Sequence, residues 1–157
     1  MKKTSLALSI GLIMSLVGPA FATEITLGDA MARVTPRGVG AAFMTISNNS
    51  DRVKKVVSAK AKGVGKAELH THINDNGIMR MRRVENFSVP AGGSHVLQPG
   101  GDHVMLFDVS QEVRNMNKIA VTLGFDDGST SMIEIPIMSM KTGKKDYGQK
   151  QHDHHMK

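Results

Sequence analysis

An antiparallel β-sandwich in one domain is the fold class predicted by this 157-residue sequence. Three features predict it. Short apolar runs, roughly eight or nine of them, recur at regular spacing between turn-forming clusters. The last two runs alternate apolar and polar residues with period two, as strands with one buried face do. No stretch shows helical periodicity over more than about two turns.

The N-terminus stands apart from that body. Lys2 and Lys3 precede a mostly apolar run from Leu6 to Val17, then Gly18, Pro19 and Ala20-Phe21-Ala22. This is the three-part pattern of a secretory signal peptide, and the run is too short for the roughly 20 apolar residues of a membrane span. Cleavage after Ala22 and a soluble, periplasmic mature chain are expected. No later segment is apolar enough to span a bilayer.

The strands can be taken in order. Ile25-Thr26-Leu27 is a short β-like start. Residues 39–47 end at the turn cluster Asn48-Asn49-Ser50-Asp51, and residues 53–59 follow. Gly63 and Gly65 punctuate before an extended run over 67–73. Asn74-Asp75-Asn76-Gly77 is the strongest hairpin signal, because Asn-Gly tolerates the positive φ of tight turns. Residues 78–84 form the return strand. Pro90-Ala91-Gly92-Gly93 and Gln98-Pro99-Gly100-Gly101 bracket a short strand over 94–97, and 103–109 is another. In the last hairpin Ile119, Val121, Leu123 and Phe125 precede the turn Asp126-Asp127-Gly128, and Ile133, Ile135 and Ile137 follow it.

After Met140 the composition shifts. Residues 141–157 hold many charges and no branched aliphatic side chain, so they cannot offset the entropy of ordering. The domain reading is a signal peptide over 1–22, a sandwich over 23–140 and a flexible His/Lys-rich tail over 141–157.

Composition excludes whole classes of function. The absence of Cys removes disulfides, thiolate metal sites, iron–sulfur clusters, a Cys nucleophile and a lipid-modified N-terminal Cys. The net charge of +6 comes largely from the leader and the tail, so a nucleic-acid reading loses its support. No catalytic Ser-His-Asp order, phosphate-cradling glycine loop or carboxylate pair stands out, and no enzyme activity is expected.

The unusual feature is 12 Met and 7 His against only six aromatics. His70 and His72, Met79 and Met81, and His103 and Met105 are three pairs at i, i+2 spacing, each on a predicted strand, so each pair shares a face. His70, Met81, His103 and Met105 together offer two imidazoles and two thioethers. Thioether sulfur is soft and suits Cu(I), and no carboxylate in the set favours a hard cation. Lacking Cys, the chain cannot form a blue-copper centre. Met79 reads as a supporting or packing residue ahead of a fifth ligand, His72 as a surface histidine ahead of a transient ligand, and His95 as solvated near a turn. Met44, Met116, Met132, Met138 and Met140 read as packing or exposed. In the tail, His152, His154, His155 and Met156 form a short tract that could gather Cu(II).

Ten residues separate His70 from Met81, 21 separate Met81 from His103, and one separates His103 from Met105. This pattern resembles the signature of the PCuAC periplasmic copper chaperones. The likeness extends to Ala67-Glu68-Leu69-His70, Gly77-Ile78-Met79-Arg80-Met81-Arg82, Val89-Pro90-Ala91-Gly92-Gly93 and Leu97-Gln98-Pro99-Gly100-Gly101. The opening Gly28-Asp29-Ala30-Met31-Ala32-Arg33-Val34-Thr35-Pro36 is similar too. The chain departs from the family's usual wording at Met31, at Ile73-Asn74 and at Arg83, none of which removes a ligand.

The resemblance implies a cupredoxin-like sandwich of Greek-key connectivity, monomeric, with one Cu(I) near its surface. It also implies delivery of copper toward the binuclear centre of cytochrome c oxidase, with a Sco-type thioredoxin-fold chaperone and the oxidase copper subunit as acceptors. Two other readings stay open at this point: a periplasmic copper buffer for tolerance, and a structural or adhesive sandwich module that binds no metal.

Overall fold

The computed structural model describes residues 23–139. The leader and the tail, including His152, His154, His155 and Met156, lie outside the described residues. Ten strands and one short helix follow in order: β1 (Ile25–Val34), β2 (Gly40–Asn48), β3 (Lys54–Ala61), β4 (Val64–Asp75), β5 (Ile78–Arg83), β6 (Phe87–Val89), β7 (Ser94–Leu97), β8 (His103–Val109), α1 (Gln111–Met116), β9 (Lys118–Phe125) and β10 (Thr130–Ser139). The fold is a cupredoxin-like β-sandwich. One layer runs β5-β4-β8-β2-β1, with β7 also on β2, and the other runs β10-β9-β3-β6.

Strand β10 joins the layers. Its first part, through Pro136, pairs antiparallel with β9, and from Ile137 to Ser139 it runs parallel to β1. Pro136 has no N–H to give a ladder, so it fits the point where pairing changes partner. The Ile137 N–H donates instead to the Asn117 carbonyl at 2.8 Å. This parallel pair departs from the expected all-antiparallel arrangement, because partners over 100 residues apart leave no mark in local periodicity.

The core is the apolar set that alternation points inward. Ile119, Val121, Leu123 and Phe125 on β9 are all buried, as are Ile135 and Ile137 on β10. They meet Met44, Ile46, Val56, Val104 and Leu106 in one continuous cluster, each such side chain contributing about 1.5–3 kcal/mol when fully buried.

Three elements differ from expectation. β1 is ten residues long, because the Gly28-Asp29 break is absorbed by a bulge: Asp29 has φ 46° and the register with β2 shifts between Gly28 and Met31. β6 is too short, at three residues, to show a pattern. Helix α1 spans only six residues; Ser110 Oγ caps it by accepting from the Val113 N–H, and Asn117 ends it at φ 55°.

Candidate metal centre

The site is built on three adjacent strands, with β4 between β5 and β8. The β4–β5 hairpin closes through Asn76 and Gly77, at φ 52° and 85°, the pair of positive values a two-residue turn of matching twist requires. The Gly77 N–H donates to Asn74 Oδ1 at 2.7 Å and steadies the turn. The resulting register sets His72 opposite Met81 and Asn74 opposite Met79. On the other side of β4, His70 stands opposite His103 and Glu68 opposite Met105. Directly opposed residues share a face. Glu68, His70, His72, Met79, Met81, His103 and Met105 therefore line one face, and the three pairs at i, i+2 spacing come together there.

Two of the four spacing-selected residues, His103 and Met81, touch directly. His103 Nε2 lies 3.1 Å from Met81 Sδ. His103 Nδ1 lies 2.9 Å from the Gly101 carbonyl oxygen, which can only accept, so Nδ1 carries the proton. In the neutral ring Nε2 is then a bare lone pair directed at a thioether that also has only lone pairs to offer. His103 is 2 % exposed and Met81 45 %, so the pair reaches from the interior to solvent. Burial is the main cause that holds the His103 imidazole below its ordinary value. The Gly101 bond opposes this, and His72 and His70 reinforce it.

His70 is buried beside this pair, its ring 6.0 Å from that of His103 and 6.2 Å from Phe107. Its Nε2 lies 3.0 Å from Glu68 Oε2. The bond from His70, and next the bond from Lys66, keep the Glu68 carboxyl below the usual carboxylate range.

A cavity of about 280 Å³ opens over these side chains. His72, Met81, His103 and Met105 line it, with Val39, Ala41, Phe43 and Pro99 as apolar walls and Arg33 at its side. Of the four residues singled out by spacing, Met81, His103 and Met105 reach the cavity, whereas His70 packs behind His103.

One expectation needs correcting, that for His95, and one is sharpened, that for His72. His72 is half-buried where the cavity opens to the surface. It lines the cavity 5.1 Å from the His103 ring, with Nδ1 3.4 Å from the Gly101 oxygen. His95 is not freely solvated: its Nε2–H donates to Asp102 at 2.9 Å and its ring stacks on Phe87 at 5.5 Å. The place of His72 was hidden because β8 and the turn before it fold onto β4, which is distant in sequence, whereas His95 meets Phe87 on β6 and Asp102 in the β7–β8 turn, contacts that strand alternation does not reveal. Met44 is buried in the core, while Met79, Met116, Met132 and Met138 are exposed. Glu68 and Arg33 fall within the family-like segments but had no role assigned from sequence, and Phe43 had no sequence signal, since only the register shows which face they share.

The chain matches the family model described as "LpqE-like: Putative lipoprotein LpqE-like" over residues 25–137. A protein of Leifsonia xyli subsp. xyli named "Putative lipoprotein Lxx21020" is 31% identical over 127 residues, covering 80% of this chain and 76% of that one. Among solved structures, apo-DR1885 from Deinococcus radiodurans is 25% identical with a TM-score of 0.57, covering 92% of this chain and 98% of that one. The CuI-DR1885 solution structure is 29% identical with a TM-score of 0.53, covering 71% and 77%. The copper-bound PCuAC domain from PmoF2 shares the fold at a TM-score of 0.61 and 18% identity, covering 75% and 95%. With a family match across nearly all of the described body and a fold shared with PCuAC domains, this chain belongs to the LpqE-like, PCuAC-related family.

Proposed function

We propose that this chain is an exported copper chaperone, and no enzyme, that holds one Cu(I) through His70, Met81, His103 and Met105 and hands it on. One observation carries the reading: the proton-free Nε2 of His103 and the Met81 sulfur face each other at 3.1 Å with no hydrogen to share. Two donors bound to one ion at about 2.0 and 2.3 Å lie roughly 3.5 Å apart in tetrahedral geometry. The pair is therefore close to the spacing of two ligands on a common ion. Met105 completes a second thioether at the same cavity, and His70 supplies a second imidazole behind it.

The donor chemistry selects the cargo. Among the described residues no group of three His, Cys, Asp or Glu converges to hold an ion. A metal bound here needs sulfur, and neutral thioethers favour Cu(I). That the CuI-DR1885 and copper-bound PmoF2 structures share the fold supports the same cargo. The site lies beside an edge strand and opens to solvent, as transfer requires. An acceptor offering thiolates would draw the ion away, because thiolate neutralises Cu(I) charge and these ligands do not. A Sco-type thioredoxin-fold partner and the copper subunit of cytochrome c oxidase fit that role. The leader pattern supports export to the periplasm, as do the lipoprotein names of the family and of its Leifsonia relative. No cysteine in these 157 residues can carry a lipid. The tail residues His152, His154, His155 and Met156 add a Cu(II)-gathering tract in the same proposal.

Competition with a chromophoric Cu(I) chelator tests the reading. Wild type should bind one equivalent of Cu(I), and Met81→Ala and His103→Ala should each lose about tenfold or more in affinity while keeping the same β-rich spectrum. In a parallel Cu(II) titration, protein ending before Lys141 should bind fewer equivalents than the full chain. No Cu(I) uptake by wild type would remove the chaperone reading. In a deletion strain, lost oxidase activity at low copper supports delivery, whereas copper sensitivity with normal oxidase turns the protein into a buffer.

A further inference from the structure

His70 Nδ1 is buried and has no hydrogen-bond partner among the described residues. Unpaired buried polar atoms are rare in folded proteins and call for a specific cause. The cause lies on the other side of the ring. His70 Nε2 is 3.0 Å from Glu68 Oε2, and Lys66 Nζ at 3.2 Å and Arg83 Nε at 3.9 Å flank the same carboxylate. An ionised carboxylate can only accept, so Nε2 must carry the ring proton, and Nδ1 of the neutral ring becomes a free lone pair.

We infer that Glu68 is a positioning residue: its carboxylate locks His70 as the Nε2–H tautomer and so presents Nδ1 to the cargo ion. The inference rests on the copper reading of the site. It assigns different donor atoms to the two histidines, Nδ1 in His70 and Nε2 in His103. A carboxylate locks the first ring and the Gly101 carbonyl locks the second. Outer partners of this kind fix the orientation of imidazole ligands and raise their basicity. Glu68 stands opposite Met105 across the β4/β8 ladder, so its charge belongs to the same face as the donors. Cu(I) held by two neutral imidazoles and two thioethers keeps its unit positive charge, and a carboxylate one residue removed from the ion offsets it without becoming a ligand.

The ion pairs with Lys66 and Arg83 offer Glu68 a purely structural role, and the test must separate the two. Two-bond ¹H–¹⁵N spectra of the metal-free protein report the tautomer of each histidine directly, without any reference to copper. Wild type should show His70 as Nε2–H. Glu68→Gln retains an oxygen that accepts from Nε2–H and should keep that tautomer, whereas Glu68→Ala should shift His70 toward Nδ1–H or a mixture. Cu(I) affinity by chelator competition should fall about tenfold in Glu68→Ala, and Glu68→Gln should recover part of it. Lys66→Met, which removes an ion pair but leaves the carboxylate, should match wild type in both readouts. An Nδ1–H tautomer in the wild type, or a Glu68→Ala protein with unchanged tautomer and affinity, overturns the inference. So does tighter binding by Glu68→Ala, which would mean that Glu68 holds His70 away from the ion. If wild type binds no Cu(I), the copper reading fails, while the spectra still decide whether Glu68 sets the ring.

Discussion

His103 shows how a single buried ring can be made ready for a soft ion. Its proton is committed to the Gly101 carbonyl, its lone pair faces sulfur, and burial favours its neutral form. A proton and Cu(I) compete for the same Nε2, and the thioethers do not titrate. Since the His103 pKa is lowered, the proton gains on copper only as pH falls below the ordinary imidazole value of about 6.5. The contribution of His103 to affinity is expected to be level at neutral pH and lost progressively in acid. Replacing it with a donor that never protonates isolates that contribution. His103→Met should bind Cu(I) with a flatter acid limb than wild type in competition titrations stepped from pH 8 to pH 4. Identical pH profiles for the two proteins would show that His103 is not a ligand.

Strand β5 carries Met81 and is exposed at all six positions, with β4 as its neighbour at the end of the sheet path. The core does little to hold it, so its register depends on the Asn76-Gly77 turn. An L-residue at φ 85° is strained by roughly 1 kcal/mol. Gly77→Ala should therefore loosen the hairpin locally, speed amide exchange along β5 and weaken Cu(I) binding severalfold, with a small loss of global stability. Gly128 in the β9–β10 turn provides the control. It has φ 82°, and an added Cβ meets nothing within 4 Å, as at Gly77. Gly128→Ala carries the same backbone strain but should leave copper affinity intact. Equal copper binding by both variants would mean that Met81 is held by something other than the turn. The contrast also explains what could be read in advance. The β4–β5 and β9–β10 hairpins were legible because Asn-Gly and Asp-Asp-Gly are local signals flanked by strand patterns. The seating of β8 against β4, which brings His103 to His70 and Gly101 to His72, comes from a crossover that periodicity cannot encode. Signature spacing pointed to His70, Met81, His103 and Met105, while Glu68 and the cavity role of His72 awaited the register.

At the scale of the whole molecule, one buried cation fastens elements of the two layers of the sandwich. Lys54 opens β3 and is 4 % exposed. Its ammonium donates to Asp127 in the β9–β10 turn, and it pairs with Glu24, just before β1, at 2.7 Å. A buried charge without partners is costly, so the lead-in to β1, the start of β3 and the far turn are tied to one another. The bond from Lys54, followed by bonds from the Ser129 hydroxyl and N–H, holds the Asp127 carboxyl well below the usual carboxylate range. A depressed carboxyl pKa contributes stability above the ordinary value of 3.8, and that contribution is lost as pH falls toward the folded-state value. The Asp127 bond is also the first cause that raises Lys54 above 10.5, so the lysine's share persists through neutral pH and disappears only as alkali removes its proton. Asp127→Asn should thus melt below wild type throughout the neutral range. The gap between their Tm values should narrow steadily as pH drops below about 4. Because this cluster lies in the layer that does not carry β4, β5 and β8, Cu(I) affinity at neutral pH should not change. A Tm difference that persists undiminished into strong acid would assign the loss to packing of the turn and not to the ion pair.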